Sequence, residues 1–170
     1  MINLLILYEL NKSPLTMYGI SRQIKNRFSV FMLPSMGTLQ PALKKFERNG
    51  LVTAQKLMSS GGRPSICYAI TEKGKAALVK ELISPVAENP VQFLVSARVK
   101  LCCSEVLKTD DYCAMLKILK RKTENLMLDT KRMQENKNIP DGSEIIYDNL
   151  ACEYRNFLSL LEGLEHACNG

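Results

Sequence analysis

Gly37, Pro41, Lys44 and Arg48 recur every three or four residues, a spacing that would place them along one face of a helix, with Lys45 close by and Glu47 the sole acidic neighbour at its edge. The chemistry such a face offers is electrostatic. Ammonium and guanidinium groups neutralise phosphate, while small Gly37 and flat Pro41 would let a helix approach another surface closely. Thr38 and Gln40 flank the line, and both can hydrogen-bond base edges; glutamine matches the donor and acceptor of adenine. Lys56 and Arg63 add cations further along the chain.

Other chemistries find less support. The six cysteines (Cys67, Cys102, Cys103, Cys113, Cys152 and Cys168) form no C-x-x-C pair and fall mostly in helical stretches, so they read as reduced, packed thiols. A thiol redox response through adjacent Cys102 and Cys103 stays as an alternative, although neighbours on a helix point apart. His166 is the single histidine, and with Cys168 it makes too few ligands for zinc. No metal and no cofactor are expected. Without a nucleophile beside a base, a glycine-rich phosphate loop or a recognisable carboxylate pair, the chain is not expected to be an enzyme.

Charge is unevenly divided. Of a net +6 over 170 residues, Met1 to Leu82 hold 12 Lys and Arg against 4 Asp and Glu, giving +8, and the remainder holds 11 against 13, giving −2. A basic half joined to a near-neutral half suits a polyanion-binding module with a separate assembly module. With 46% apolar and 24% charged residues the chain is globular in type. The apolar run Ile2 to Leu10 is broken by Asn3 and Glu9 and has no basic leader, so it reads as a core helix; no membrane span and a cytoplasmic location are expected.

The elements that must position these residues follow from periodicity and punctuation. A helix over Ile2 to Leu10 is followed by a second from the cap candidate Thr16 to about Arg27, and a third from the cap candidate Ser35 to about Asn49, stopped by Gly50. Leu39, Ala42, Leu43 and Phe46 form the buried stripe of that third helix, opposite Lys44 and Arg48. Two β-capable segments, Leu51 to Met58 and Ser65 to Thr71, flank a glycine-rich basic tip and predict a hairpin. A helix capped by Thr71 runs to about Leu82, and Pro85 to Pro90 mark a boundary. The predicted class is mostly α with a small β-hairpin: a winged helix-turn-helix over residues 1–84 and a helical dimerisation region over 85–170. In the second half, helices are expected over about Pro90 to Cys103, Asp110 to Asn136 behind Thr109, and Ser143 to Ala167 behind Asp141. Leu150, Tyr154, Phe157, Leu161 and Leu164 alternate at four and three, a seam suited to a partner helix and hence to a homodimer.

Three helices, a hairpin and a helix place a basic third helix where it can enter a major groove of double-stranded DNA. Its amino-terminal end at Ser35 can offer backbone N–H groups to phosphate. A winged-helix module that binds protein instead is the alternative, because fold alone does not establish DNA binding.

The stretch from Gly37 to Val52, Gly37-Thr38-Leu39-Gln40-Pro41-Ala42-Leu43-Lys44-Lys45-Phe46-Glu47-Arg48-Asn49-Gly50-Leu51-Val52, resembles the recognition-helix segment of the PadR family of bacterial transcriptional regulators. Gly62-Arg63-Pro64 through Tyr68, then Thr71-Glu72-Lys73-Gly74, is similar to the wing and following helix start of that family, and Tyr18-Gly19 also fits. Gln40 stands where tyrosine is usual. The resemblance implies a sequence-specific homodimeric repressor on an inverted-repeat operator, its carboxy-terminal helices crossing to the partner, with a small-molecule effector in some members. Within that frame the DNA-binding residues would be Tyr18, Ser35, Gly37, Thr38, Gln40, Pro41, Lys44, Lys45, Arg48, Lys56 and Arg63.

Overall fold

Hydroxyl side chains set where the helices of the first half begin. Thr16 Oγ1 accepts from the Gly19 amide at 3.1 Å and Thr71 Oγ1 accepts from the Gly74 amide at 3.1 Å. Ser35 and Thr38 close a reciprocal capping box, in which each side chain serves the backbone amide of the other. These caps start three of the helices in a computed structural model that describes residues 1–58, 64–86, 89–135, 140 and 142–169.

The order of elements is α1 (Ile2–Lys12), β1 (Leu15–Thr16), α2 (Met17–Phe28), α3 (Met36–Arg48), β2 (Val52–Met58), β3 (Pro64–Ile70), α4 (Glu72–Ile83), α5 (Pro90–Cys102), a 3-10 turn (Ser104–Val106), α6 (Thr109–Gln134) and α7 (Glu144–Asn169). The protein is mostly helical with a small antiparallel sheet of order β1-β3-β2. Periodicity alone suggests only the hairpin. The third strand, β1, is two residues long and pairs Leu15 with Tyr68 and Thr16 with Cys67; so short a segment has no alternation to read. Thr109 begins α6 rather than capping it, because Lys108 occupies the cap position without a side-chain bond. Asp141, the expected cap of α7, lies outside the described residues.

Two compact units result. The first joins residues 1–84 to 95–106, and the second joins 85–94 to 107–170. A boundary after residue 84 would leave 95–106 with the second half, yet Ala97, Val99 and Cys103 are all buried and the first unit claims them.

α1 is the centre of the first unit: every residue from Leu4 to Leu10 is buried. A helix apolar on all sides has no solvent face and must be surrounded. Around it lie Ile20, Ile24 and Phe28 of α2, Leu39, Leu43 and Phe46 of α3, and Leu78 and Leu82 of α4. Glu9 is the exception, 1% exposed, with Oε2 accepting from Arg27 Nη1 at 3.0 Å and Oε1 without a partner among the described residues. Burial pushes its carboxyl above the usual carboxylate range, against the pull of Arg27. Lys100 on α5 is likewise buried. Its ammonium donates to the carbonyls of Glu81 at 2.8 Å, Leu82 at 3.1 Å and Ser84, closing the C-terminal end of α4. Burial lowers its pKa to about 8, so it stays protonated at neutral pH.

In the second unit α6 and α7 form an antiparallel pair. Lys120 meets Glu165 at 3.1 Å and Glu162 at 3.7 Å, and Gln134 donates to Asp148, so partners descend in α7 as they rise in α6. Phe93, fully buried, stands edge-on to Phe157 with ring centroids 6.2 Å apart. Met115, Leu116, Leu119 and Leu126 fill the space beside them.

The tightest approach is in the first unit, where α4 starts beside the chain leaving α3. A Cβ at Gly74 would stand 2.1 Å from the Leu51 carbonyl oxygen, a distance no side chain tolerates. Gly74→Ala should therefore lower the midpoint of thermal unfolding, even though alanine is the better helix former by about 1 kcal/mol. A midpoint unchanged or raised would show that the junction relaxes.

Candidate nucleic-acid interface

α3 divides along its length. Leu39, Leu43 and Phe46 are buried and Ala42 is half-buried, whereas Gly37, Thr38, Gln40, Pro41, Lys44, Lys45, Glu47 and Arg48 are exposed. The exposed face is thus the one whose spacing suggested it, and two shallow depressions lie on it. One is lined by Pro41, Lys44, Glu47 and Arg48, the other by Gly37, Gln40, Pro41 and Lys44. Among the described residues, Lys44, Lys45 and Arg48 take part in no ion pair. A cation line with no carboxylate partner keeps its full attraction for an external anion.

The two ends of this helix are fixed differently. At its start, Thr38 Oγ1 donates to the Ser35 carbonyl at 2.9 Å and accepts from the Ser35 amide at 3.3 Å, while the Thr38 amide donates to Ser35 Oγ at 3.2 Å. The sequence offers Thr38 as a reader of base edges; the fold employs its hydroxyl in the cap. At its end, Gly50 adopts φ +69°, and the amides of Gly50 and Leu51 return to the carbonyls of Glu47 and Phe46 at 3.0 and 2.9 Å.

α2 supplies a second polar line. Tyr18, Arg22 and Lys25 are exposed and spaced at four and three, so they share a face opposite buried Ile24. Helical periodicity in the sequence already sets Arg22, Lys25 and Arg27 outside, opposite Met17, Ile20 and Ile24, but of this line only Tyr18 is expected at the DNA. Arg27 is otherwise engaged, since it pairs with Glu9.

In the wing, β2 and β3 pair from Val52 with Ile70 to Met58 with Pro64. Only Val52 of β2 is buried, so the strand projects beyond the core. Lys56 is exposed opposite Ile66. Arg63 lies outside the described residues.

The stripe on α7 is placed otherwise than expected. Tyr154, Phe157 and Leu161 are buried at 3%, 3% and 0% within the single chain, and Leu150 and Leu164 are half-buried. The neighbour that covers this stripe is the chain's own α6, together with Phe93. A helix joined by a short connection is always at hand, so it takes the seam before a second copy can. The cysteine pair Cys102 and Cys103 also separates: Cys102 is exposed, Cys103 is buried, and burial pushes the Cys103 thiol far up. Among the described residues no helix is long and apolar enough to cross a membrane, and no three His, Cys, Asp or Glu side chains gather as a metal site requires.

Two successive helices, α2 and the box-capped α3, followed by a two-stranded wing define a winged helix-turn-helix, the DNA-binding fold of transcription regulators. The model of the family "Transcriptional regulator PadR-like family" matches residues 6–80, the segment that builds these elements. Among solved structures, a PadR family transcription regulator from hypervirulent Clostridium difficile R20291 is 30% identical, over 47% of this chain and 81% of that one, with a TM-score of 0.42. Bacillus subtilis PadR in complex with operator DNA is 21% identical over 98% of each chain, TM-score 0.47. The same protein in complex with p-coumaric acid is 21% identical over 99% of each, TM-score 0.43. No curated protein matches the chain. The chain belongs to the PadR-like family of transcriptional regulators.

Cap and reader are separable roles for Thr38. Thr38→Val keeps the shape but removes the hydroxyl, and it should cost roughly 0.5–1 kcal/mol of stability in chemical denaturation, the net worth of its hydrogen bonds to Ser35, while the N-cap bond from the Thr38 amide to Ser35 Oγ remains. Thr38→Ser should keep most of it. Equal stability of the valine variant would show that the hydroxyl does not hold the helix start.

Proposed function

We propose that the protein is a homodimeric repressor that binds an inverted-repeat operator in double-stranded DNA, with α3 in the major groove. One observation carries this reading: Gly37, Pro41, Lys44 and Arg48 line the exposed face of a rigidly capped helix and find no carboxylate partner among the described residues. Small residues at the front permit close approach, and cations behind them meet phosphates. Gln40 is the base reader. Ser35 at the helix start, Lys45, Lys56, Arg63 and the α2 line of Tyr18, Arg22 and Lys25 contact backbone.

Replacing Lys44 and Lys45 by alanine should weaken binding to all duplexes and reduce the salt slope by about one for each phosphate no longer neutralised. Gln40→Ala should instead change which sequences are selected from a random duplex pool. Selection by the wild-type chain should return an inverted repeat with half-sites about one helical turn, or roughly 34 Å, apart. Unchanged salt dependence in the double lysine variant, or a pool with no enriched sequence, would overturn the reading.

In this reading two copies pair through surface beside the α7 stripe, because Tyr154, Phe157 and Leu161 are already buried within one chain. Ile145 and Ile146 are 74% and 68% exposed, and Leu128, Met133 and Leu160 add apolar area on the same unit. These residues form the subunit contact in our reading, since exposed apolar area of this kind marks association. Ile145→Asp with Ile146→Asp should yield folded monomer in sedimentation, whereas Phe157→Asp should unfold the second unit. A dimer that survives the isoleucine changes would place the contact elsewhere. A small-molecule effector that releases the operator completes the proposal; Bacillus subtilis PadR, described with p-coumaric acid, is the precedent.

A further inference from the structure

We propose that Cys113 and Cys168 form a dithiol that hydroperoxides convert to a disulfide within one chain, stapling the open end of the α6–α7 pair. Three observations place the two sulfurs together. The antiparallel register set by Gln134 with Asp148 and by Lys120 with Glu162 and Glu165 brings the start of α6 against the end of α7. Within that register Cys113, in the first turns of α6, stands level with Cys168, in the last turn of α7; burial, and then the neighbouring Cys113, raise the Cys168 thiol, so Cys113 is the sulfur that meets the oxidant first. Both are half-buried, which leaves a small oxidant access while excluding larger partners. Burial, and after it the Cys168 and Cys113 sulfurs, raise the pKa of the adjacent Tyr112 hydroxyl.

No other cysteine is so placed. Cys103 is buried with its thiol pushed up, Cys102 and Cys152 are exposed, and Cys67, though half-buried, sits on β3 between Thr16 and Gln55. The connection between the helices ties one end of the pair, at Gln134 and Glu144; the other end, where Cys113 and Cys168 meet, has no covalent tie. A bond there closes the segment from 113 to 168 into a loop and restricts the unfolded chain, which is how a disulfide stabilises.

The chemistry balances with hydrogen peroxide as oxidant. One cysteine, as thiolate, attacks a peroxide oxygen, breaking the O–O bond; it becomes a sulfenic acid and hydroxide leaves, taking a proton to become water. The second thiolate then attacks the sulfenic sulfur, the S–S bond forms, and the hydroxyl departs with a proton as a second water. Two thiols are oxidised and one peroxide is reduced.

The test uses the full chain and reads sulfur chemistry alone, so its outcome does not depend on the operator reading. Reduced protein is treated with stoichiometric hydrogen peroxide, remaining thiols are alkylated, and tryptic peptides are mapped by mass. Cleavage after Lys108, Lys117 and Arg155 isolates the two cysteines on peptides 109–117 and 156–170. The expected product is those two peptides linked, from protein that remains a single chain on a non-reducing gel. Its thermal midpoint should rise by about 5 °C or more and return on reduction. Cys113→Ser and Cys168→Ser should abolish both effects, and Cys102→Ser should leave them intact. Mapping the wild-type chain needs no variant to fold. Oxidation of Cys102 and Cys152 with no 113–168 link would overturn the proposal, as would a link formed only between two chains.

Discussion

The carbonyl of Leu51 is the point at which the reading helix, the wing and the following helix are locked together. It accepts from the Thr71 amide at 3.0 Å and the Thr71 hydroxyl at 3.1 Å, and it lies against Gly74, where any Cβ would collide. One residue earlier, the Gly50 carbonyl accepts from the same hydroxyl at 2.7 Å. Thr71 therefore does two things at once: it starts α4 by accepting from Gly74, and it holds the chain emerging from α3. Gly50 supplies the left-handed turn that ends α3 and aims Leu51 back at Phe46. The junction between helix and wing is set by main-chain atoms and the Thr71 hydroxyl, none of which substitution of the exposed side chains of α3 and β2 alters. Exposed side chains of α3 and β2 can then vary without disturbing the frame that presents them.

Much of this frame was legible because its determinants are local. Thr16, Ser35 and Thr71 announce helix starts by the residue types and positions that capping requires, and Gly50 announces an end. The 3.6-residue period placed Leu39, Leu43 and Phe46 inward with Lys44 and Arg48 outward, and the exposures agree. β1 was not legible, since two residues carry no period and pairing with β3 is a long-range event. The return of 95–106 to the first unit was hidden for a similar reason: Lys100 looks like a solvated cation, and only the three carbonyls at the end of α4 explain its burial. The α7 stripe shows a third limit. A seam declares that a helix wants a neighbour, but spacing cannot say whether that neighbour is α6 of the same chain or a second copy.

Electrostatics and packing separate cleanly between these elements. Where cations serve structure they are matched: Arg27 to Glu9, Lys12 to Glu105 at 2.9 Å, Lys120 to Glu162 and Glu165. The Lys12 pair is one corner of a cluster in which Tyr8 also donates to Glu105 at 2.8 Å, and these two donors hold the Glu105 carboxyl below its usual range. A folded pKa below the unfolded one means stability present above the unfolded value and lost as pH falls through the folded one. Glu9 acts in the opposite sense, being harder to ionise when folded. On α3 no such matching occurs among the described residues. Unmatched cations on one line repel one another and keep their attraction for an external anion, which is what supports the proposed DNA contact.

Pro41 sharpens that point. It lies inside α3, where its ring removes the amide that would serve the Gly37 carbonyl and disfavours the regular helix by roughly 3 kcal/mol against alanine. Gly37, four residues earlier, weakens the same turn further. Nothing in the core requires either residue, for both are exposed. The capping box at Ser35 and Thr38 and the glycine turn at Gly50 offset this weakness from the two ends, fixing a helix whose exposed face is poor in helix-forming residues. Within α3, local rules are broken on the face that carries unmatched charge and kept on the face that packs. A helix built this way has given up intrinsic stability for a low, flat profile between its cations. That profile suits close contact with a ridged polyanion surface far better than it suits water.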